Sequence, residues 1–379
     1  MYIILLTGGG SGGHIYPLIA VAEELKKQAR TRQPAEGTEL ELQFIGDRKS
    51  SEIVAKEINI KFNGVLSPKW RRYSSIENFT DILKAPFGFL QALFCVWRLM
   101  PDLIFSKGGY DSFLPALAGR LLMVPVVIHE SDLIPGKSNL WVGKWAKKVF
   151  VAFEGARSFF RQDKVELVGN PIRSGIDQLS DKNTAAAAFS LDPARPIVLI
   201  TGASQGAKII NDTLLLSLVE LTKKFQIIHQ CGPQNYDDIN GQILKIVKEG
   251  EGKYGKTITD NYRLYPLFDL REMALAYSAA DVVVGRSGAG TIFEIAAVGK
   301  PAIIIPLKGS AGDHQLANAR EFAKAGAVVV EEENLTPHIL INEIGTAHEN
   351  RVRISENIKK FARPNAAQII ASQLLGMLT

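Results

Sequence analysis

Three apolar runs in this chain end in glycine-rich turns that open onto helix-forming sequence: TGGGSGGH from Thr7, TGASQGA from Thr201 and GRSGAGT from Gly285. A strand that turns through glycine into a helix lets the backbone come close to a ligand, and the helix start offers free N–H groups to an anion. Two such units about half a chain apart, with a third downstream of the second, point to a two-domain α/β protein that grips a phosphorylated molecule. The length agrees, because 379 residues exceed one ordinary core.

The sequence around these turns repeats the same theme. Strand-like Tyr2–Leu6 precedes the first turn, and Leu18–Leu25 after it has helical spacing and good helix formers. Short strands are expected at Leu40–Ile45, Leu103–Ser106 and Val126–Ile128, with Gly108-Gly109 and a helix near 112–122 between the last two. His129 and Glu130 then sit just past a strand's C-terminal end, where open parallel sheets put their ligand crevice. The second half continues with strands Ile197–Ile200 and Val282–Val284. Helix Ile292–Val298 is stopped by Gly299, and strand Ala302–Ile305 follows Pro301. Alternating strands and helices imply βαβ units and mainly parallel sheets. The expected domains are 1–172, 173–353 and a helical tail at 354–379 that packs back on the first domain.

Composition narrows the setting. The chain is 46% hydrophobic and 22% charged, as a folded globular protein is. Cys95 and Cys231 have no metal-ligand spacing and read as free thiols in a reducing cytoplasm. No basic leader precedes the first strand, so secretion is not expected. The segment 87–100 is too short, and too interrupted by Arg98, to span a bilayer. A net charge of +5 suits an acidic partner, but no nucleic-acid motif is present. Basic and large apolar residues mix from Lys69-Trp70-Arg71-Arg72-Tyr73 through Phe87, Leu90, Phe94 and Trp97, a pattern that would lie on an anionic bilayer if exposed and is ordinary core if not.

Several residues could carry chemistry. His14, at a helix start, would have its charged form disfavoured by the dipole and so stay available as a neutral base; a capping role is the alternative. Arg286 could neutralise a phosphate, and Glu294 could accept two sugar hydroxyls or be a solvated helix residue. Asp313-His314-Gln315 follows a strand and a glycine-containing stretch that suits a ligand loop. Gly8, Gly10 and Gly13 formally satisfy G-x-G-x-x-G, which admits a nicotinamide-dependent oxidoreductase. The acidic ribose ligand expected about twenty positions on is missing, since 29–34 is basic or neutral and Asp47 lies late. No Walker lysine follows any glycine turn, which counts against an NTPase, and no Asp-x-Asp occurs. A diphosphate leaving group would then rely on N–H dipoles and arginine.

The motifs GGGSGGHIYPLIAVAEEL, Gly108-Gly109-Tyr110, His129-Glu130, GNPIR at 169–173, GASQGA at 202–207, RSGAGTIFE at 286–294 and DHQLANA at 313–319 stand in one order. In that order the chain resembles the MurG family of bacterial N-acetylglucosaminyltransferases in glycosyltransferase family 28. The resemblance runs from the first strand to about Ala319. It implies a GT-B fold, two Rossmann-like domains with parallel sheets facing across a cleft. It implies inverting transfer of GlcNAc from UDP-GlcNAc to the muramyl C4 hydroxyl of lipid I, an undecaprenyl-linked acceptor, giving lipid II, with no cofactor and no metal.

His14 is then the base candidate, with Glu130 or Asp132 behind it. By the same resemblance Arg173, Ser204 and Gln205 contact the donor diphosphate, joined by Ser11, Gly12 and Gly13 at the end of the first loop. The segment around Phe268 and Leu270 holds uracil. Arg286, Ser287, Gly288, Ala289, Gly290, Thr291 and Glu294 wrap ribose and phosphates, and Gln315 meets the donor sugar. Gly9, Gly10, Tyr16, Gly108, Gly109, Tyr110 and Asp132 face the acceptor. The implied location is the cytoplasmic face of the cell membrane, peripherally bound, with other cell-wall synthesis proteins as further partners. Where the family commonly has Gln-Asn after His-Glu, this chain has Ser131-Asp132, so an amide at the acceptor side has become a carboxylate. A relative acting on another lipid such as diacylglycerol, and a non-catalytic membrane scaffold, are the remaining alternatives.

Overall fold

The computed structural model describes residues 1–9, 12–36, 39–67, 76–203 and 206–378. The side chains at His14, 32–36, 49–51, 53–54, 76–83 and Ala311 also lie outside the description. Gly10, Ser11, Ser204, Gln205 and the basic run 69–73 are therefore expectations outside the described residues.

The chain folds into two compact units, 1–173 with 364–379 and 174–363. Among the described residues the first unit holds seven strands: β1 (Tyr2–Thr7), β2 (Leu40–Gly46), β3 (Lys61–Gly64), β4 (Leu103–Ser106), β5 (Val126–Glu130), β6 (Lys148–Val151) and β7 (Val165–Leu167). They lie in the order β3-β2-β1-β4-β5-β6-β7, every pair parallel. The second unit has β8 (Ile197–Thr201), β9 (Gln226–Gln230), β10 (Tyr262–Tyr265), β11 (Val282–Gly285), β12 (Ala302–Ile304) and β13 (Val328–Val329). Their order is β10-β9-β8-β11-β12-β13, again all parallel.

Strand order reverses between β1 and β4 in one unit and between β8 and β11 in the other. All three glycine turns follow one of these four strands. Parallel sheets bind ligands at such switch points, outside the carboxyl ends of the strands. The registers Thr7↔Ser106 and Thr201↔Gly285 bring the paired turns level with each other.

Central strands such as β5 and β8 are buried at every position, which suits their Val/Ile/Leu runs; β5 continues through His129 and Glu130, which pair with Phe150 and Val151 and so end the strand instead of following it. Helix Gly12–Glu36 starts within the first glycine turn, well ahead of Leu18. Helix Ala289–Val298 ends before Gly299. The tail divides between the units. Helix Arg351–Phe361 belongs to the second, where Ser355 Oγ donates to the Gly299 carbonyl at 2.5 Å. Helix Ala366–Gly376 instead completes the first unit's core, with Ile370, Ala371 and Leu374 fully buried in the cluster that contains Val21, Ala22 and Leu25. Burial on that scale contributes about 1.5–3 kcal/mol for each large side chain. Gln373 fixes the helix to the sheet by accepting from Lys148 and donating to Glu166 at 2.6 Å.

Candidate active site

At the first switch point the two glycine turns touch. Gly109 has φ 86°, and a Cβ there would stand 2.6 Å from the Gly9 carbonyl oxygen, so only glycine allows this approach. Lys107, immediately before the pair, donates its backbone N–H to the Thr7 carbonyl at 2.9 Å. Its side chain is buried at 1% exposure and its ammonium donates to Ser131 Oγ. Ser131 in turn donates to Asn170 Oδ1 at 2.6 Å. His129 Nε2 donates to the Gly169 carbonyl at 2.8 Å, which fixes the tautomer because a carbonyl can only accept. Tyr16 and Arg173 also meet, the guanidinium carbon standing 4.9 Å from the ring centroid.

Glu130 points inward. Its carboxylate accepts the backbone N–H groups of Asp132 at 2.9 Å and Gly136 at 3.0 Å, and Asn139 Nδ2 at 2.9 Å. These bonds hold the loop after β5 in shape. Burial raises the Glu130 carboxyl to about 7, helped by the neighbouring Asp132 and opposed by its hydrogen bonds and Lys107. Burial lowers the Lys107 ammonium to about 8, against the pull of Glu130 and Asp132. Both groups are thus pushed toward neutrality. Tyr110 opens helix Tyr110–Leu121 directly after Gly109, and Asp132 is half-buried on the Glu130 loop.

In the second unit, the turn after β8 is held from behind. Gly206 has φ 75°, and a Cβ would lie 2.2 Å from the Cys231 carbonyl oxygen. That carbonyl accepts from Asn211 at 3.0 Å and Asn235 at 2.9 Å. Asn211 is bonded to His229, whose imidazole is also 2.6 Å from the Tyr262 hydroxyl. Burial pushes His229 down to about 3, so it is a neutral framework residue.

The turn after β11 places Arg286 in a partly buried ion pair with Glu332 at 2.6 Å, its side chain 11% exposed, and Arg286 also donates to the Ile305 carbonyl at 3.1 Å. The Arg286 guanidinium, expected at a phosphate, is therefore held at the edge of its turn by Glu332. Gly288 is the N-cap of helix Ala289–Val298, which carries Gly290, Thr291 and Glu294. Glu294 is buried and takes the Tyr277 hydroxyl at 3.3 Å, so it is not a solvated helix residue. Gln315 Oε1 accepts the Leu307 N–H at 3.0 Å and lies 3.4 Å from Ser287 Oγ, joining the turns after β11 and β12. Phe268 is buried against Tyr265 and Phe189, and exposed Leu270 begins the next helix after an Asp269–Glu272 capping box.

Sequence reasoning gave no role to the polar partners Lys107, Asn139, Ser131 and Asn170 in the first unit, the last two noted only within motifs, or to Glu332 in the second. A signal existed for the first group, since a lysine and an acid follow apolar strands that βαβ succession makes neighbours. For Glu332 none did. Among the described residues no cluster of His, Cys, Asp or Glu could hold a metal ion.

Comparisons agree with this geometry. Residues 4–151 match the glycosyltransferase family 28 N-terminal domain and 197–373 the family 28 C-terminal domain. The chain is 35% identical, over 97% of its length and 94% of the relative's, to the UDP-N-acetylglucosamine–N-acetylmuramyl-(pentapeptide) pyrophosphoryl-undecaprenol N-acetylglucosamine transferase of Treponema denticola. It is 34% identical, over 96% of its length and 94% of the relative's, to the transferase of the same name from Clostridium tetani. The crystal structure of Acinetobacter baumannii MurG aligns with a TM-score of 0.75 at 25% identity, covering 99% of this chain and all of that one. Two Rossmann-like units with this kinship make the fold GT-B, and the chain belongs to the MurG family of glycosyltransferase family 28, a family of N-acetylglucosamine transferases.

Proposed function

We propose that this chain transfers GlcNAc from UDP-GlcNAc to the muramyl C4 hydroxyl of lipid I, with inversion, to make lipid II. The observation that carries the reading is similarity to N-acetylglucosamine transferases along both units, with every glycine turn at a switch point. The first unit takes the acceptor on the turns at Gly9 and Gly108-Gly109 and the loop carrying Asp132. His14 is the base in this reading, on the first turn of helix Gly12–Glu36. The second unit takes UDP-GlcNAc, with the N–H groups at the start of helix Ala289–Val298 set toward the departing diphosphate.

Helix Ile76–Leu99 supports a reading of membrane association. Phe87, Leu90, Phe94 and Trp97 fall on one face and are 59–65% exposed, with Lys84 and Arg98 exposed beside them. Among the described residues no helix is long and apolar enough to cross a bilayer. We assign this face to peripheral binding at the cytoplasmic leaflet, where anionic lipid and a polyprenyl-linked acceptor are found together.

The test is transfer of radiolabelled GlcNAc to a short-chain lipid I analogue, with diacylglycerol as the competing acceptor. Lipid I product in wild type, falling a hundredfold or more in His14→Ala (about the low end for losing a general base), is the expected result. Product only on diacylglycerol, or an unchanged rate in His14→Ala, contradicts the reading.

A further inference from the structure

We propose that Lys107 and Ser131 are positioning residues for the transfer reaction: they lock the acceptor turn to the turn that carries Arg173. The inference rests on the reading of the first unit as the acceptor half. Four loops meet around Lys107. Its backbone is tied to Thr7, and its Cβ lies 2.9 Å from where a Cβ on Gly8 would be, directly beneath the first glycine turn. It precedes Gly108-Gly109, the second turn. Its ammonium donates to Ser131 on the loop after β5, and Ser131 donates onward to Asn170 at 2.6 Å. Asn170 opens Asn170-Pro171-Ile172-Arg173, and Arg173 closes the circuit by lying over Tyr16, in the helix that the first glycine turn starts.

Lys107, Ser131 and Asn170 are all buried, at 1%, 5% and 0% exposure. A buried ammonium is costly unless hydrogen-bonded and balanced by charge, and Glu130 and Asp132 supply that balance from the same loop as Ser131. An apolar side chain at 107 would fill the space without that cost. The lysine therefore fixes the relative position of the loops through directional bonds, in a way that simple packing would not.

Ser131→Ala deletes the central hydroxyl and leaves the charges in place. With donor and acceptor varied separately, we expect kcat/KM for the lipid I analogue to fall about tenfold or more, roughly what one lost buried hydrogen bond to a charged group gives. UDP affinity should fall by a smaller factor, through the loosened turn that carries Arg173, and Ser131→Thr should restore most of the loss because the hydroxyl returns. Hydrogen exchange in Ser131→Ala should quicken in both 107–110 and 169–173, with 197–210 unchanged. An equal loss on both substrates, no loss, or failure of threonine to rescue overturns the proposal. If wild type itself does not act on lipid I, the functional reading fails instead. Exchange then decides the positioning claim: paired quickening of the two segments upholds the lock, and quickening in one alone refutes it.

Discussion

Each unit holds an opposite-charge pair at the carboxyl edge of its sheet, fully buried in the first and partly exposed in the second, and the two pairs are built differently. Arg286 and Glu332 meet directly at 2.6 Å, and the second Glu332 oxygen accepts the Lys308 N–H at 3.2 Å. Two charges in contact neutralise each other and pin one turn against the next. Lys107 and Glu130 share a site but spend their hydrogen bonds on neutral partners: Ser131 for the lysine, and two backbone N–H groups and Asn139 for the glutamate. Their charges balance a whole cluster of loops. In the second unit electrostatics clamps two segments; in the first it organises four. An acceptor that presents both a diphosphate and a reacting hydroxyl needs several loops held together, whereas a nucleotide diphosphate can be met by helix starts already fixed by the sheet.

The contrast is tested most strongly by Glu332→Ala, which leaves Arg286 partly buried without its counter-charge. Unfolding free energy from urea melts should fall by about 1.5–3 kcal/mol, what hydrogen bonds to a charged group contribute. A loss under about 1 kcal/mol would mean that the pair behaves like a surface salt bridge.

Glu130→Gln removes one acceptor oxygen from the loop bonds and should cost about 1–3 kcal/mol. It should also change the pH dependence. The folded Glu130 carboxyl is raised from 4.5 to about 7, so the protonated form is favoured on folding. Its stabilising contribution is present below pH 4.5 and lost as pH rises to 7. Melting temperature followed from pH 4.5 to 7, at fixed salt, should fall more in wild type than in Glu130→Gln, with Lys107 and Asp132 as the charged groups facing the site. Parallel profiles would show that Glu130 titrates normally.

The smallest effect concerns Gln315, which bridges the turns after β11 and β12. Gln315→Ala should cost about 0.5–1.5 kcal/mol for the hydrogen bonds lost. Calorimetry should also show weaker UDP-GlcNAc binding with little change for UDP, if its amide meets the sugar. Equal weakening of both ligands would make it a loop brace only.

Much of this could be read along the chain, because strand ends and glycine turns are local signals. Parallel order then carries Gly8, Gly108, Gly202 and Gly285 to two switch points without further information. What stayed hidden depends on tertiary neighbours. Ser131 and Asn170 look like ordinary loop residues until β4, β5, β6 and β7 lie side by side. Arg286 looks like a free cation until Glu332 arrives from beyond β13. The tail pattern marks amphipathic helices, but periodicity says only that a face is buried; it took the packing of Ile370 and Leu374 with Val21 and Leu25 to show which unit helix Ala366–Gly376 completes.

The division of labour between the units is tested most directly by hydrogen exchange with each ligand in turn. UDP-GlcNAc alone should give its strongest protection in 285–294 and 305–315, and a lipid I analogue alone in 107–110 and 129–136. Donor protection centred on 107–110 and 129–136, or acceptor protection confined to the second unit, would contradict the account.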